Sequence, residues 1–276
     1  MCSTKSDAYK PVTKPGIKMF PSSPSLSRAS PSSATKALSV HRLFVSDLHL
    51  SDDTPDIEAA FTGLLKQETP FDCLVMLGDV FEAWVGDDDD SPLADRVRLA
   101  LRALAESGTE ILFTRGNRDF MLGEQFASDI GGTLLPDQSV LEVTGQPTLL
   151  LHGDTLCTDD VDYQQFRQLV HSPDWQAEMM AKSLDERREL ARQLRSMSID
   201  AASNKPEDIM DVNQDAVTAA MRDADVSLMV HGHTHRPNRH QCDAGERIVL
   251  GDWTAQAGWL LRERDSELSL ERFSIG

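Results

Sequence analysis

The sequence predicts an α/β protein, a two-sheet core with flanking helices that begins at about residue 42. Three observations carry this. Five short apolar runs each end in a motif of Asp, His or Asn. A stretch between Tyr163 and Arg222 repeats apolar residues every three or four positions. Further apolar runs close the chain. Short apolar runs of this composition read as buried strands, and the three-to-four spacing reads as amphipathic helix.

The elements are taken in chain order. Residues 1–41 contain the low-complexity run Pro21-Ser22-Ser23-Pro24-Ser25-Leu26-Ser27-Arg28-Ala29-Ser30-Pro31-Ser32-Ser33, which cannot bury a core. Three readings compete for it. It is a disordered basic tail, attracted to anionic lipid or without essential function; an organelle transit peptide; or an extension upstream of a start at Met19. The disordered tail without essential function is preferred, because nothing in the motifs requires the segment.

The five strand-and-motif units come next. Leu43-Phe44-Val45 leads into Ser46-Asp47-Leu48-His49, and Leu74-Val75-Met76-Leu77 into Gly78-Asp79. Ile111-Leu112-Phe113 precedes Gly116-Asn117-Arg118-Asp119, and Leu149-Leu150-Leu151 precedes His152-Gly153-Asp154. Leu228-Met229-Val230 runs into His231-Gly232-His233-Thr234-His235. Strand ends in open α/β sheets are where ligands bind, so these groups should converge on one cleft. A single Gly-Asp is mostly a turn and a lone His mostly a packing residue, but five such motifs in succession are poorly explained that way.

Between the fourth and fifth motifs, Phe166, Leu169, Val170, Trp175, Met179, Met180, Leu184, Leu190, Leu194 and Met197 form an apolar stripe broken at Ser172-Pro173. Part of it must pack on the body. Because both ends are tied to motifs, residues 163–222 are expected to form a helical cap, with Arg187, Arg188, Arg192, Arg195 and Lys205 near its rim. Met-rich apolar surface adapts to flexible chains. Arg247 to Trp253, Gly258 to Leu261 and Leu268 to Phe273 read as late strands, with Pro237 ending the run after the fifth motif.

Imidazole, carboxylate and carboxamide without cysteine suit divalent ions, and the oxygen content favours Mn²⁺ over a structural zinc. The ligand-capable groups exceed what one ion of ordinary coordination number uses. Two ions about 3.5–4 Å apart with a shared carboxylate account for them, an arrangement suited to in-line phosphoryl displacement.

Asp-x-His, Gly-Asp, Gly-Asn, His-Gly-Asp and Gly-His-Thr-His in this order resemble the calcineurin-like metallophosphoesterases. The resemblance runs from about Leu43 to Trp253. It implies a four-layer α/β sandwich with the cap as an insertion, and a dinuclear centre. One metal would be held by Asp47, His49, Asp79 and His233, the other by Asp79, Asn117, His152 and His231, with Asp79 bridging. Asp119 and His235 would orient ligands from behind. The chain has Arg118 where most of the family has a histidine, so a planar fork for phosphate oxygens replaces a proton donor.

Longer strings narrow the resemblance. Phe81-Glu82-Ala83-Trp84-Val85-Gly86-Asp87-Asp88, His152 to Asp160 and Ile209-Met210-Asp211-Val212-Asn213 are similar to the UDP-2,3-diacylglucosamine diphosphatases of lipid A synthesis. That branch implies hydrolysis of a UDP-linked diacylglucosamine to UMP and the diacylglucosamine 1-phosphate, lipid X, on the cytoplasmic face of the inner membrane as a peripheral protein. Its catalytic set carries over to Asp79, Asn117, Arg118 and His152, and its substrate contacts to Asn117, Arg118, Asp160, Ser198, Lys205 and His231. Ala202 stands where the branch usually has Asn. The competing readings are a broad phosphodiesterase or nucleotide pyrophosphatase, and a non-catalytic scaffold on the same fold.

Composition excludes some classes. A net charge of −18 argues against a nucleic-acid partner, which needs a basic surface. Residues 1–42 carry seven Lys or Arg against one acid, net +6, so the rest is −24 by subtraction. A body this acidic repels a diphosphate unless metals and local arginines offset it. No apolar run reaches the length of a membrane span, and no signal peptide is expected. Cys2, Cys73, Cys157 and Cys242 form no Cys-x-x-Cys pair and read as reduced thiols of a cytosolic protein, with Cys157 a small apolar packing residue. No obligate protein partner is expected.

Overall fold

A computed structural model describes residues 40–203 and 209–276, without the side chains of residues 199–203. Residues 1–39, and with them almost all of the expected tail, lie outside the described residues.

Strand alternation builds the layers. In β1 (His41–Val45) and β2 (Cys73–Leu77), Leu43, Val45, Leu74 and Met76 face one side, while Phe44, Cys73, Val75 and Leu77 face the other. The first set packs under helices α1 (Pro55–Glu68), α2 (Pro92–Glu106) and α3 (Glu124–Ile130), through Phe61, Val97, Leu101 and Phe126. The second set meets Leu150, Val230 and Ile248 of the other sheet. Beyond that sheet, Leu149, Leu151 and Met229 pack on Val217 and Met221 of a further helix, Gln214–Asp223. The result is helices, sheet, sheet, helix. The four layers that the resemblance implied are present.

The first sheet has the order β11-β10-β1-β2-β3-β4, with β3 at Glu110–Thr114, β4 at Thr133–Leu134, β10 at Ala257–Arg264 and β11 at Glu267–Ser274. The second has the order β5-β6-β7-β9-β8, with β5 at Gln138–Val143, β6 at Gln146–Leu151, β7 at Leu228–His231, β8 at Asn238–Cys242 and β9 at Gly245–Val249. β1, β2 and β3 are parallel, as are β6 and β7, so their carboxyl ends face one cleft.

Three helices come after β6: α4 (Val161–Val170), α5 (Pro173–Met180) and α6 (Leu184–Ser203). Asp160 and Ser172 cap the first two by accepting from Tyr163 N and Trp175 N, and Pro173 sits at the start of α5. The expected cap of residues 163–222 therefore divides. α4 to α6 line a cavity over the cleft, whereas Gln214–Asp223, here α7, is part of the body because Val217 and Met221 cover the second sheet. No helix among the described residues is long and apolar enough to cross a membrane.

Candidate metal centre and substrate cleft

Each motif lies just beyond a parallel strand, and the backbone there is unusual. Asp47, His49, Asp79, His233 and His235 all have φ between 50° and 67°. Non-glycine residues in this left-handed region are costly and cluster where function demands a particular side-chain direction. The fully buried Asp119 carboxylate holds the turn at Asp79 against the third motif, accepting from the amides of Gly116 (2.8 Å), Val80 (2.8 Å) and Asp79 (3.2 Å). Burial and the neighbouring Asp79 raise its pKa to about 6. Glycine is required at position 116, where a Cβ would overlap Asp79 Oδ1.

Two groups of ligand atoms come together, each within 4.8 Å of one another: Asp47 with His49 and His235, and Asp47 with Asp79 and His152. Asp79 Oδ2 lies between two imidazoles, 3.9 Å from His49 Nε2 and 3.7 Å from His152 Nε2. Asn117 Oδ1 is 2.9 Å from His152 Nε2 and 2.8 Å from His233 Nδ1. The other ring nitrogen of His152 donates to Leu77 O at 2.9 Å, which leaves Nε2 directed at the cleft.

The electrostatics match a cation site. Burial opposes ionisation of Asp47, yet the hydrogen bond from His235 and the charges of His152, His235 and His49 hold its carboxyl well below the usual range. Burial lowers and Asp79, Asp47 and Asp154 raise the pKa of His152, to about 9. His233 is pushed down to about 4 by burial and by His152. Buried carboxylates of this density are retained where they are paired or coordinate metal. The Asp, His and Asn donors, with no thiolate, fit hard or borderline divalent ions.

One part of the expected pairing does not form. His231, expected as a metal ligand and substrate contact, is the last residue of β7 and pairs in register with Val249. Val230 faces the other sheet, so alternation turns His231 to the opposite side. There its Nδ1 donates to Gly232 O at 2.8 Å and its Nε2 accepts from Arg247 at 3.0 Å. Burial and Arg247 lower its pKa to about 3. The residues brought into the cleft are instead His233, beside Asn117 and His152, and His235, whose Nε2 lies 3.3 Å from Asp47 Oδ1 and from His49 Nε2. His235 is thus among the ligand-type atoms, in front of the centre, where it had been expected behind.

The remaining candidates are spread along a cavity of about 560 Å³. Asn117 and Arg118 stand at its polar end, where Arg118 N donates to Asp79 Oδ1 at 2.8 Å. Asp160 and Ser198 line it, while Lys205 lies outside the described residues, as does the side chain of Ala202. Trp84, Phe120, Phe166, Trp175, Met179 and Leu194 supply its apolar wall. Arg195, expected at the rim of the cap, also lines it, as do Tyr163 and Glu82, which spacing did not single out as site residues. Tyr163 donates to the buried Asp154 at 2.7 Å, and its ring lies 6.0 Å from that of His233.

The sequence model of the calcineurin-like phosphoesterases matches residues 41–237. A UDP-2,3-diacylglucosamine hydrolase of Cellvibrio japonicus is 48% identical over 241 residues, 86% of this chain and 100% of that protein. Proteins of the same name from Chromohalobacter salexigens and Escherichia coli O7:K1 are 45% and 44% identical, over 84% of this chain and 97% and 98% of their own lengths.

Proposed function

Because the chain belongs to the calcineurin-like phosphoesterase family, we infer that it is an enzyme hydrolysing the pyrophosphate of UDP-2,3-diacylglucosamine to UMP and 2,3-diacylglucosamine 1-phosphate, a step of lipid A synthesis. The observation that carries this is the junction of the Asp/His centre with an apolar cavity, in a chain 43–48% identical to hydrolases of that substrate.

The ligand set is read from the geometry. Asp47, His49, Asp79 and His235 would hold one divalent ion, and Asp79, Asn117, His152 and His233 the other, with Asp79 between them; its oxygen's distances to His49 and His152 support this. The oxygen-rich donors favour Mn²⁺. Such ions supply activation of water and neutralisation of charge on phosphate.

The chain's own groups do the rest. Arg118 offers two guanidinium nitrogens to phosphate oxygens next to the centre, and Asn117 holds the facing edge. No acid stands at position 118 to protonate the leaving group. A sugar phosphate leaves without one more readily than an alkoxide does, so attack at the uridine-linked phosphorus is the consistent choice. The apolar wall takes the acyl chains and excludes water from that half of the cleft. Asp160 and Ser198 line the cavity and would meet the sugar or its amides, and by the resemblance Lys205, outside the described residues, would be a further contact.

Access from a membrane surface completes the reading. Five of the seven exposed large hydrophobic side chains among the described residues, Val161, Phe166, Leu169, Met180 and Met197, lie on α4 to α6, beside the cavity. A lipid substrate would enter there from the cytoplasmic leaflet, with the protein held peripherally.

The test is product analysis with the purified chain. Chelation should silence hydrolysis of the UDP-lipid, Mn²⁺ should restore it best, and Asp79→Ala should abolish it. Equal catalytic efficiency on acylated and deacylated UDP-glucosamine would instead favour a broad phosphodiesterase.

A further inference from the structure

Glu82 is absent from every role assigned so far, yet its side chain touches three functional parts at once. Its Oε1 lies 3.2 Å from Arg118 NH1 and contacts Arg195 Nε, while its Oε2 lies 3.2 Å from His49 Nδ1. The approach to His49 is an oblique electrostatic contact, outside good hydrogen-bond geometry. One oxygen therefore serves two guanidiniums, one from the body and one from α6, and the other faces the back of a metal-ligand imidazole.

The backbone of Glu82 is fixed to the centre. Its amide donates to Leu50 O at 3.0 Å, Leu50 N donates to Val80 O at 2.9 Å, and Asp119 accepts from Val80 N. Arg195, by contrast, rides on α6. That helix is tied to the same loop eight residues earlier, where Arg187 donates to Val85 O at 2.6 Å and to Asp88 Oδ1 at 2.7 Å. Gly86 suits this latch because its φ of 129° is one that L side chains rarely adopt. The loop from Glu82 to Asp88 thus grips α6 at two points, one of them inside the cleft.

We propose that Glu82 is a positioning residue through which the seating of α6 is transmitted to the metal centre. The inference rests on the metal-dependent reading above. The carboxylate's charge beside Nδ1 favours the His49 tautomer that carries its proton there and leaves Nε2 directed at Asp47, Asp79 and His235. It also keeps Arg118 aimed along the cleft. Arg118 Nε already lies 4.0 Å from Asp79 Oδ2, so a released guanidinium would pair with that carboxylate and compete with a cation for it. Arg118 and Arg195 repel one another unless an acid stands between them; each of the two contacts of Oε1 therefore depends on the other.

The experiment compares Glu82→Gln, Arg195→Gln and the double variant in the full chain, with circular dichroism as the check on folding. Calorimetric titration of chelator-stripped protein with Mn²⁺ alone reads the centre without substrate. Glu82→Gln should weaken Mn²⁺ binding about 10–100-fold at one of two sites, the usual cost of losing a group that orients a ligand. Arg195→Gln should weaken Mn²⁺ binding at the same site by a smaller factor, because Glu82 stays beside His49 but loses its tie to α6. On the UDP-lipid both single variants should lower kcat/KM, and the double variant should lose no more than the worse single one, because both break one link. Wild-type Mn²⁺ titration in Glu82→Gln, or losses that multiply in the double variant, would overturn the proposal. A variant that only melts earlier, with titration and kcat unchanged, would overturn it equally. If the wild type fails to turn over the UDP-lipid while the Mn²⁺ effect of Glu82→Gln persists, the substrate reading fails and the positioning of His49 stands.

Discussion

Replacing His231 with Ala and, separately, His235 with Ala divides two histidines that the sequence places four positions apart in one motif. His231→Ala removes the donor to Gly232 O and the acceptor for Arg247, whose residue is only 4% exposed and whose Nε has no hydrogen-bond partner either. A buried group left unsatisfied costs about 1–3 kcal/mol, so the two together should cost about 2–6 kcal/mol. At about 2–4 °C per kcal/mol for a domain of this size, the metal-stripped protein should melt about 4–24 °C earlier by calorimetry. Its Mn²⁺ stoichiometry, measured well below that temperature, should be unchanged. His235→Ala should behave in the opposite way. Its side chain is 37% exposed and Asp47 keeps the bonds from Ser46 and the His233 amide, so the stripped protein should melt only a few degrees below wild type, about 5 °C at most. Loss of its contact with Asp47 should cost one Mn²⁺ site and most of the activity. A His231→Ala protein with native melting and a missing metal would refute this assignment and restore the pairing read from the motif alone.

Other outcomes rest on the same geometry. Burial, with nearby carboxylates at Cys157, pushes the thiols of Cys73 and Cys157 up to about 12, so neither should be alkylated by iodoacetamide at pH 8 in the native protein, and both should react once it is unfolded; rapid native labelling of Cys157, read by mass spectrometry, would contradict its packing role. Trp175→Gln or Met179→Gln should raise KM for the acylated substrate about tenfold or more and spare a small chromogenic phosphodiester, whereas loss of both activities would make the stripe structural core alone. Arg187→Leu breaks the latch between α6 and Asp88, and should lower kcat/KM on the UDP-lipid more than on a small diester; equal losses on the two would show that α6 has no separate role. Arg118→Lys should lose at least about tenfold in kcat, because an ammonium cannot reproduce the two-pronged contact.

Much of the architecture was legible because its determinants are local. Leu43-Phe44-Val45 and Leu74 to Leu77 declare strands buried on both faces, and a polar motif after each marks the sheet edge. Composition of the centre was equally plain. The late strands were also placed, although β10 and β11 run several residues beyond their apolar stretches, because their polar residues pair across the hairpin. β8 was missed, since Asn238-Arg239-His240-Gln241-Cys242 is a half-exposed edge strand with no apolar alternation. The chief difference lies in the histidines, since His231 is turned away from the cleft. Three imidazoles at alternate positions look equivalent in a sequence, but β7 ends at His231, and the left-handed turns at His233 and His235 re-aim the two side chains beyond it. Strand parity within Leu228-Met229-Val230-His231 was the available signal. The split of the cap from α7 depended on long-range packing of Val217 and Met221, which periodicity does not encode. The contacts of Glu82 are likewise tertiary: Arg195 is 113 positions away in sequence.

If this centre directs water to the uridine-linked phosphorus of a UDP-diacylglucosamine, the oxygen of that water must end in the nucleotide. Hydrolysis of the UDP-lipid in ¹⁸O-labelled water, with Mn²⁺ present and the products separated by mass spectrometry, reads this outcome. One heavy oxygen should appear in UMP and none in the diacylglucosamine 1-phosphate, with no turnover under chelation. Label in the sugar phosphate, or undiminished turnover in excess chelator, would show that the bond, or the metal centre, had been wrongly assigned.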